Sequence, residues 1–156
     1  VTDAFARDRT SGSGSVGRGF LDSLERWVAV DRSADARALR AVLLTWLRDA
    51  QAAQPSMALV HQLAARALAV ADTAVERGDR PADLRAHLAA SCAAERSDLE
   101  QAVTDAANVA AQLVTANEPW IATLSASEGV LAALLALQRA GRPPRVLLAE
   151  GRPRLA

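Results

Sequence analysis

"WIATLSASEGVLAALLALQRAGRPPRVLLAEGRP", Trp120 to Pro153, is the stretch on which the fold turns. Trp120 to Leu124 is short, apolar and partly β-branched, which reads as a strand. Glu128 to Ala140 is helical in pattern, with Val130, Leu131, Leu134 and Leu135 expected inward and Gly141 as the stop. Pro143-Pro144 leads into Arg145 to Ala149, a second apolar strand, and Glu150-Gly151-Arg152-Pro153 reads as the turn after it. Strand, helix and strand within about 30 residues make a βαβ unit, whose strands should be parallel with a right-handed crossover. Two parallel strands cannot bury both faces. The expectation is therefore the front piece of a longer chain, preferred over strands that pair with another chain.

Everything upstream of Asn117 has a different texture. Residues 1–14 form an N-terminal segment with a helical stretch at Asp3 to Asp8, followed by the Gly/Ser run "SGSGS". Val16, Phe20, Leu24, Trp27 and Val28 then recur at helical spacing. Ser33 is the expected N-cap of the next helix, whose stripe is Leu39, Val42, Leu43, Trp46, Leu47 and Ala50. Pro55 opens a third helix near Ser56, which Gly78 closes. Pro81 starts another through Cys92, with room for a break near Ser97. Leu99, Val103, Ala106, Ala110 and Leu113 are expected to line one face of a further helix ending near Ala116. The layout is an α-helical domain over 15–116 and the opening of an α/β sheet over 117–156.

Composition narrows the function classes. Hydrophobic residues are 51% of the 156, enough for a buried core, and alanine at about a quarter favours closely packed helices. All 18 basic residues are arginine, balanced by 18 acidic ones, so no basic face invites nucleic acid. The arginines, interleaved with Asp and Glu, read as a solvated face. One cysteine, Cys92, forbids an internal disulfide, and with two histidines it is too little for a zinc site. No membrane span or signal sequence is evident, and the expected compartment is the cytoplasm.

In open α/β sheets, ligands bind beyond the carboxyl ends of the strands. Those ends carry Ser125-Ala126-Ser127-Glu128 and Glu150-Gly151-Arg152-Pro153. Hydroxyls at a helix N-terminus suit an anion, and an arginine can add a forked contact to phosphate or carboxylate. The plainer reading makes Ser127 an N-cap and Glu150 and Arg152 a surface pair. "DRTSGSGSVGRG" offers the same choice, a phosphate-cradling turn or a loose linker, and taken alone it reads as a linker. His61 and His87 have no partner identifiable from spacing. Trp27, Trp46 and Trp120 read as core residues, and Cys92 as a small buried side chain.

Taken in order, these stretches resemble the family that joins the alpha, beta and delta subunits of translation initiation factor 2B to the ribose-1,5-bisphosphate and methylthioribose-1-phosphate isomerases. "DRTSGSGSVGRGFLDSL" is similar to the family's early small-residue turn and helix, and "RDAQAAQPSMALVHQLAARAL" to its helix end, "RP-S/T" and new helix. "IATLSASEGVLAAL" resembles the family's "ILTHS-x-S-x-x-VL-x-AL", and "VLLAEGRP" its "V-x-x-x-E-S/T-R-P". The resemblance runs along nearly the whole chain and implies a helical domain followed by a Rossmann-like one that continues past this sequence. It implies a phosphate or ligand pocket of Gly12, Ser13, Gly14, Ser125, Ser127, Glu150 and Arg152. It implies a phosphorylated sugar or nucleotide as ligand, a homodimer or higher homo-oligomer, and no cofactor or metal. The departures are specific. Ser11-Gly12-Ser13 stands where the isomerases have Arg-Gly-Ala, and Ser125 stands at their catalytic cysteine. The family's catalytic aspartate would fall beyond Ala156. The reading preferred is a non-catalytic phosphosugar- or nucleotide-binding relative. An active aldose–ketose isomerase with altered residues comes second, and a structural or regulatory subunit of a translation-related assembly third.

Overall fold

A computed structural model describes residues 4–124 and 127–149. The helices are α1 (Ala4–Arg7), α2 (Ser13–Val30), α3 (Ala36–Ala53), α4 (Ala58–Arg77), α5 (Pro81–Leu113) and α6 (Glu128–Arg139); the strands are β1 (Trp120–Thr123) and β2 (Arg145–Leu148). The chain is mostly helical and divides into two compact units, Val1–Ser97 and Asp98–Ala156, with α5 passing from one into the other.

The first unit is a helical bundle whose core follows from periodicity. Val16, Phe20, Leu21 and Leu24 of α2, Leu39 and Leu43 of α3, Val60 of α4, and Leu84 and Leu88 of α5 are all fully buried. An aromatic ladder runs through it. Phe5 meets Phe20 edge-on at 5.8 Å, Phe20 lies 5.5 Å from Trp46, and Trp46 lies 6.0 Å from the half-buried Trp27. Buried Gln54 donates from Nε2 to the carbonyls of Phe5 (2.6 Å) and Asp8 (2.7 Å), fastening α1 to the bundle.

Several local expectations change here. The α3 N-cap is Asp35, whose side chain accepts from Ala38 N at 2.8 Å. Ser33 is taken up with Asp31, to which its Oγ donates. Val42 is 48% exposed, because the buried stripe is the narrower set Leu39, Leu43, Trp46, Leu47 and Ala50. The Gly/Ser run is no linker, since α2 begins at Ser13. Nor are the arginines only a solvated face. Arg40 pairs with Asp72, Arg66 with Glu95, Arg85 with Asp31, and Arg96 with Asp22 and Glu25, each joining separate elements of the bundle. A guanidinium fork on a carboxylate suits such bridging.

The second unit holds the end of α5, the strands and α6. The helix α5 is unbroken through Ser97, and its covered residues are Ala107 and Ala111, one position along from the expected Ala106 and Ala110; Ala106 and Leu113 are exposed. The strands pair in parallel, from Trp120↔Arg145 to Thr123↔Leu148. Gly78 and Gly141, at φ 72° and 73°, end α4 and follow α6 as expected, because a left-handed residue there carries no Cβ penalty. The face of α6 turned inward is Leu137 with the half-buried Val130 and Leu134, whereas Leu131 and Leu135 point out. Trp120, expected in the core, is 71% exposed and lies under the Arg145 guanidinium. No helix among the described residues is long and apolar enough to cross a membrane.

Candidate functional site

Parallel pairing brings the carboxyl ends of β1 and β2 to one end of the second unit. Thr123 is the partner of Leu148, and Ala149 N donates to Thr123 O at 2.9 Å, so the segments leaving β1 and β2 emerge side by side. Beyond β1, exposed Ser127 caps α6. Its Oγ accepts from Val130 N at 3.5 Å, a long bond that leaves most of the hydroxyl's capacity for other partners. Glu128 in the first turn complements the positive end of the helix dipole. Ser125, Glu150 and Arg152 lie outside the described residues.

Gly12, Ser13 and Gly14 belong to the first unit, at the start of α2. Gly12 is the N-cap, with φ −70°, ψ 164° and no side chain to cap with, and its carbonyl accepts from Val16 N at 3.2 Å. Just before it, Asp8 closes the turn by accepting from Thr10 N at 3.0 Å and Ser11 N at 2.9 Å. Hydrogen bonds from Ser11 and Thr10 hold the Asp8 carboxyl down at about 2. The amides of Thr10 and Ser11 thus already face a carboxylate of the chain itself. Further along, "VGRG" is shaped by packing. A Cβ on Gly17 would meet Leu59 Cδ2 at 2.5 Å, and one on Gly19 would meet Phe5 Cβ at 2.8 Å. These two glycines let α4 and α1 approach α2.

Neither unit offers an activated nucleophile among the described residues. Cys92 is buried on α5, and burial pushes its thiol up to about 11, so it is protonated and shielded at neutral pH. His61 faces the Pro55 carbonyl at 3.2 Å, and His87 faces Asp79 at 3.4 Å. Two features had no distinct sequence signal. One is an apolar groove of about 450 Å³ along β1, bounded by Val114 of the segment after α5 and by Val130, Leu134 and Leu137 of α6. The other is Arg142, which donates to the carbonyls of Val114 and Ala111 (2.8 Å for the latter) and so caps the end of α5. Arg142, which by sequence was only a loop residue, is a structural residue of the second unit. No protein-family model matches the sequence, and no curated protein matches it at a significant level.

Proposed function

We propose that the chain is a non-catalytic, phosphosugar- or nucleotide-binding relative of the initiation factor 2B and sugar-phosphate isomerase family, working as a homodimer or higher homo-oligomer. The observation that carries this reading is the pairing of its two specific motifs. "IATLSASEGVLAAL" spans a strand and a Ser127-capped helix, and "VLLAEGRP" begins on a second strand parallel to the first, with the two strand ends adjacent. Rossmann-like character is part of the same proposal. The ligand is an anion because a helix N-terminus and a guanidinium both favour one. Catalysis is left out because Ser125 holds the position of the family's thiol, and a hydroxyl is a much poorer acid near neutral pH. Cys92, buried in a helix, does not replace it.

Calorimetric titration with ribose 5-phosphate and with ribose tests the reading. The phosphate ester should bind and the free sugar should not. Arg152→Ala should weaken the ester by roughly 1.5–3 kcal/mol, the worth of a hydrogen bond to a charged group. The control is Arg48→Ala, on the exposed side of α3, rather than Arg142→Ala, whose loss would disturb α5. Identical titrations for ester and sugar, repeated with AMP and adenosine, would remove the ligand-binding reading. The structural-subunit reading would then lead, favoured by the exposed Val146, Leu147 and Leu148 of β2.

A further inference from the structure

A second cavity, of about 400 Å³ and open to solvent, lies within the first unit where α4 turns into α5. Its apolar wall is Ala69, Val70 and Ala74, and its polar rim is Thr73, Arg77, Asp79 and His87. Such a volume is at the small end of ligand pockets. Arg77 stands apart from the bundle's bridging arginines, since it makes no ion pair or side-chain hydrogen bond among the described residues. Asp79, on the other side of the Gly78 turn, faces His87 Nε2 at 3.4 Å and not Arg77. The Ala74 and Val75 carbonyls are already taken by the amides of Asp79 (2.9 Å) and Gly78 (3.1 Å), which fixes the turn and the placement of Asp79. One cation and one anion therefore border the same small apolar space without neutralising each other directly.

We infer that this cavity binds a small zwitterion, an α-amino acid with an aliphatic side chain. The carboxylate is taken by the forked donors of Arg77. The ammonium is taken by Asp79, at the negative end of the α4 dipole, where a cation is favoured. The side chain lies on Ala69, Val70 and Ala74. A ligand with only one of the two charges gives up either the contact with Arg77 or the contact with Asp79, so each charge adds to binding. This site is independent of the strand ends and of the function proposed for them.

The test is an amide chemical-shift titration of the full chain with L-valine, 3-methylbutanoate and 2-methylpropylamine, the last two each lacking one charge. L-Valine should move the amides of residues 69–79 and His87 in a saturable way. Each single-charge analogue should bind at least about ten-fold more weakly, the equivalent of one charged contact. Arg77→Gln, at an exposed position, should bring valine down to the level of the amine. Asp79→Asn should bring it down to the level of the acid. Absence of saturable shifts with valine, analogues that bind as well as valine, or an Arg77→Gln protein that binds valine undiminished would each overturn the assignment.

Discussion

The two units use the same alanine- and leucine-rich vocabulary to opposite effect. In the first, each amphipathic helix finds partners for its stripe, and Phe20, Leu24, Leu39, Leu43, Leu84 and Leu88 vanish from solvent. In the second, the large side chain that does so among the described residues is Leu137, beside the small Ala107 and Ala111. Among the described residues, nine of the eleven exposed large hydrophobic ones fall after Ser97, from Val109 to Leu148. The lesson is about layers. A helix needs a partner along one stripe, and a bundle supplies it at once. A parallel strand needs cover on both faces and a neighbour at each edge, which one helix and one further strand do not provide. Burial in such a layer follows from what surrounds the strand more than from how apolar it is.

Paired substitutions test that contrast, and the tryptophans should give its largest effect. Trp46→Ala removes the middle of the aromatic ladder and should cost about 3–5 kcal/mol in urea unfolding, the usual range for a buried aromatic. Trp120→Ala should stay within about 0.5 kcal/mol, as befits a side chain in solvent. Similar losses at the two positions would mean that the second unit has a core of the same kind. Glycines come next. Gly19→Ala drives a methyl into Phe5, and overpacking of about 1–3 kcal/mol less a helix-propensity gain of up to about 1 kcal/mol leaves it destabilising. Gly129→Ala meets nothing within 4 Å and should stabilise α6 by about 0.5–1 kcal/mol. If both changes stabilise, the close approach of α1 to α2 is not needed.

A last, modest effect concerns the bridges of the first unit. Burial disfavours the charged form of Asp31, but hydrogen bonds from Arg85 and Ser33 outweigh it, and its carboxyl is held below the usual value of 3.8. The folded state therefore binds this proton less readily than the unfolded one. The contribution is complete above about pH 4 and is lost as pH falls through the lowered value. Asp31→Asn should cost about 1 kcal/mol at neutral pH and flatten the acid limb of the stability curve. An acid limb with the same slope as the parent protein would show that the Arg85 bridge adds nothing.

Much of the fold was legible in the residues. The Leu39, Leu43, Trp46 and Leu47 spacing, the Gly78 and Gly141 stops and the parallel strand pair each follow from a local rule that tertiary context had no reason to override. The errors over burial share one cause. Val42, Leu131, Leu135 and Trp120 are apolar and correctly assigned to helix or strand, yet exposed, because periodicity names a face and the neighbouring element decides how wide a strip of it is covered. The candidate site was legible only in part. Ser127 as a cap follows from a hydroxyl before a helix, whereas the role of "SGSGSVGRG" depended on Phe5 and Leu59, which no local pattern ties to it. Arg142 was missed for the same reason, since its partners lie about 30 residues away in the chain.

By itself, then, the sequence determined the kind of elements and the direction of the last two strands, although the stretch read as two helices after Pro81 is the single α5. Hydrogen bonding and side-chain period act within a turn or two of helix, and a short crossover leaves parallel pairing as the favoured outcome. Only the tertiary structure decided which arginines bridge helices and which glycines are contact points. Those properties belong to pairs of residues distant in the chain. Their meeting depends on how helices pack, which distance along the sequence does not encode.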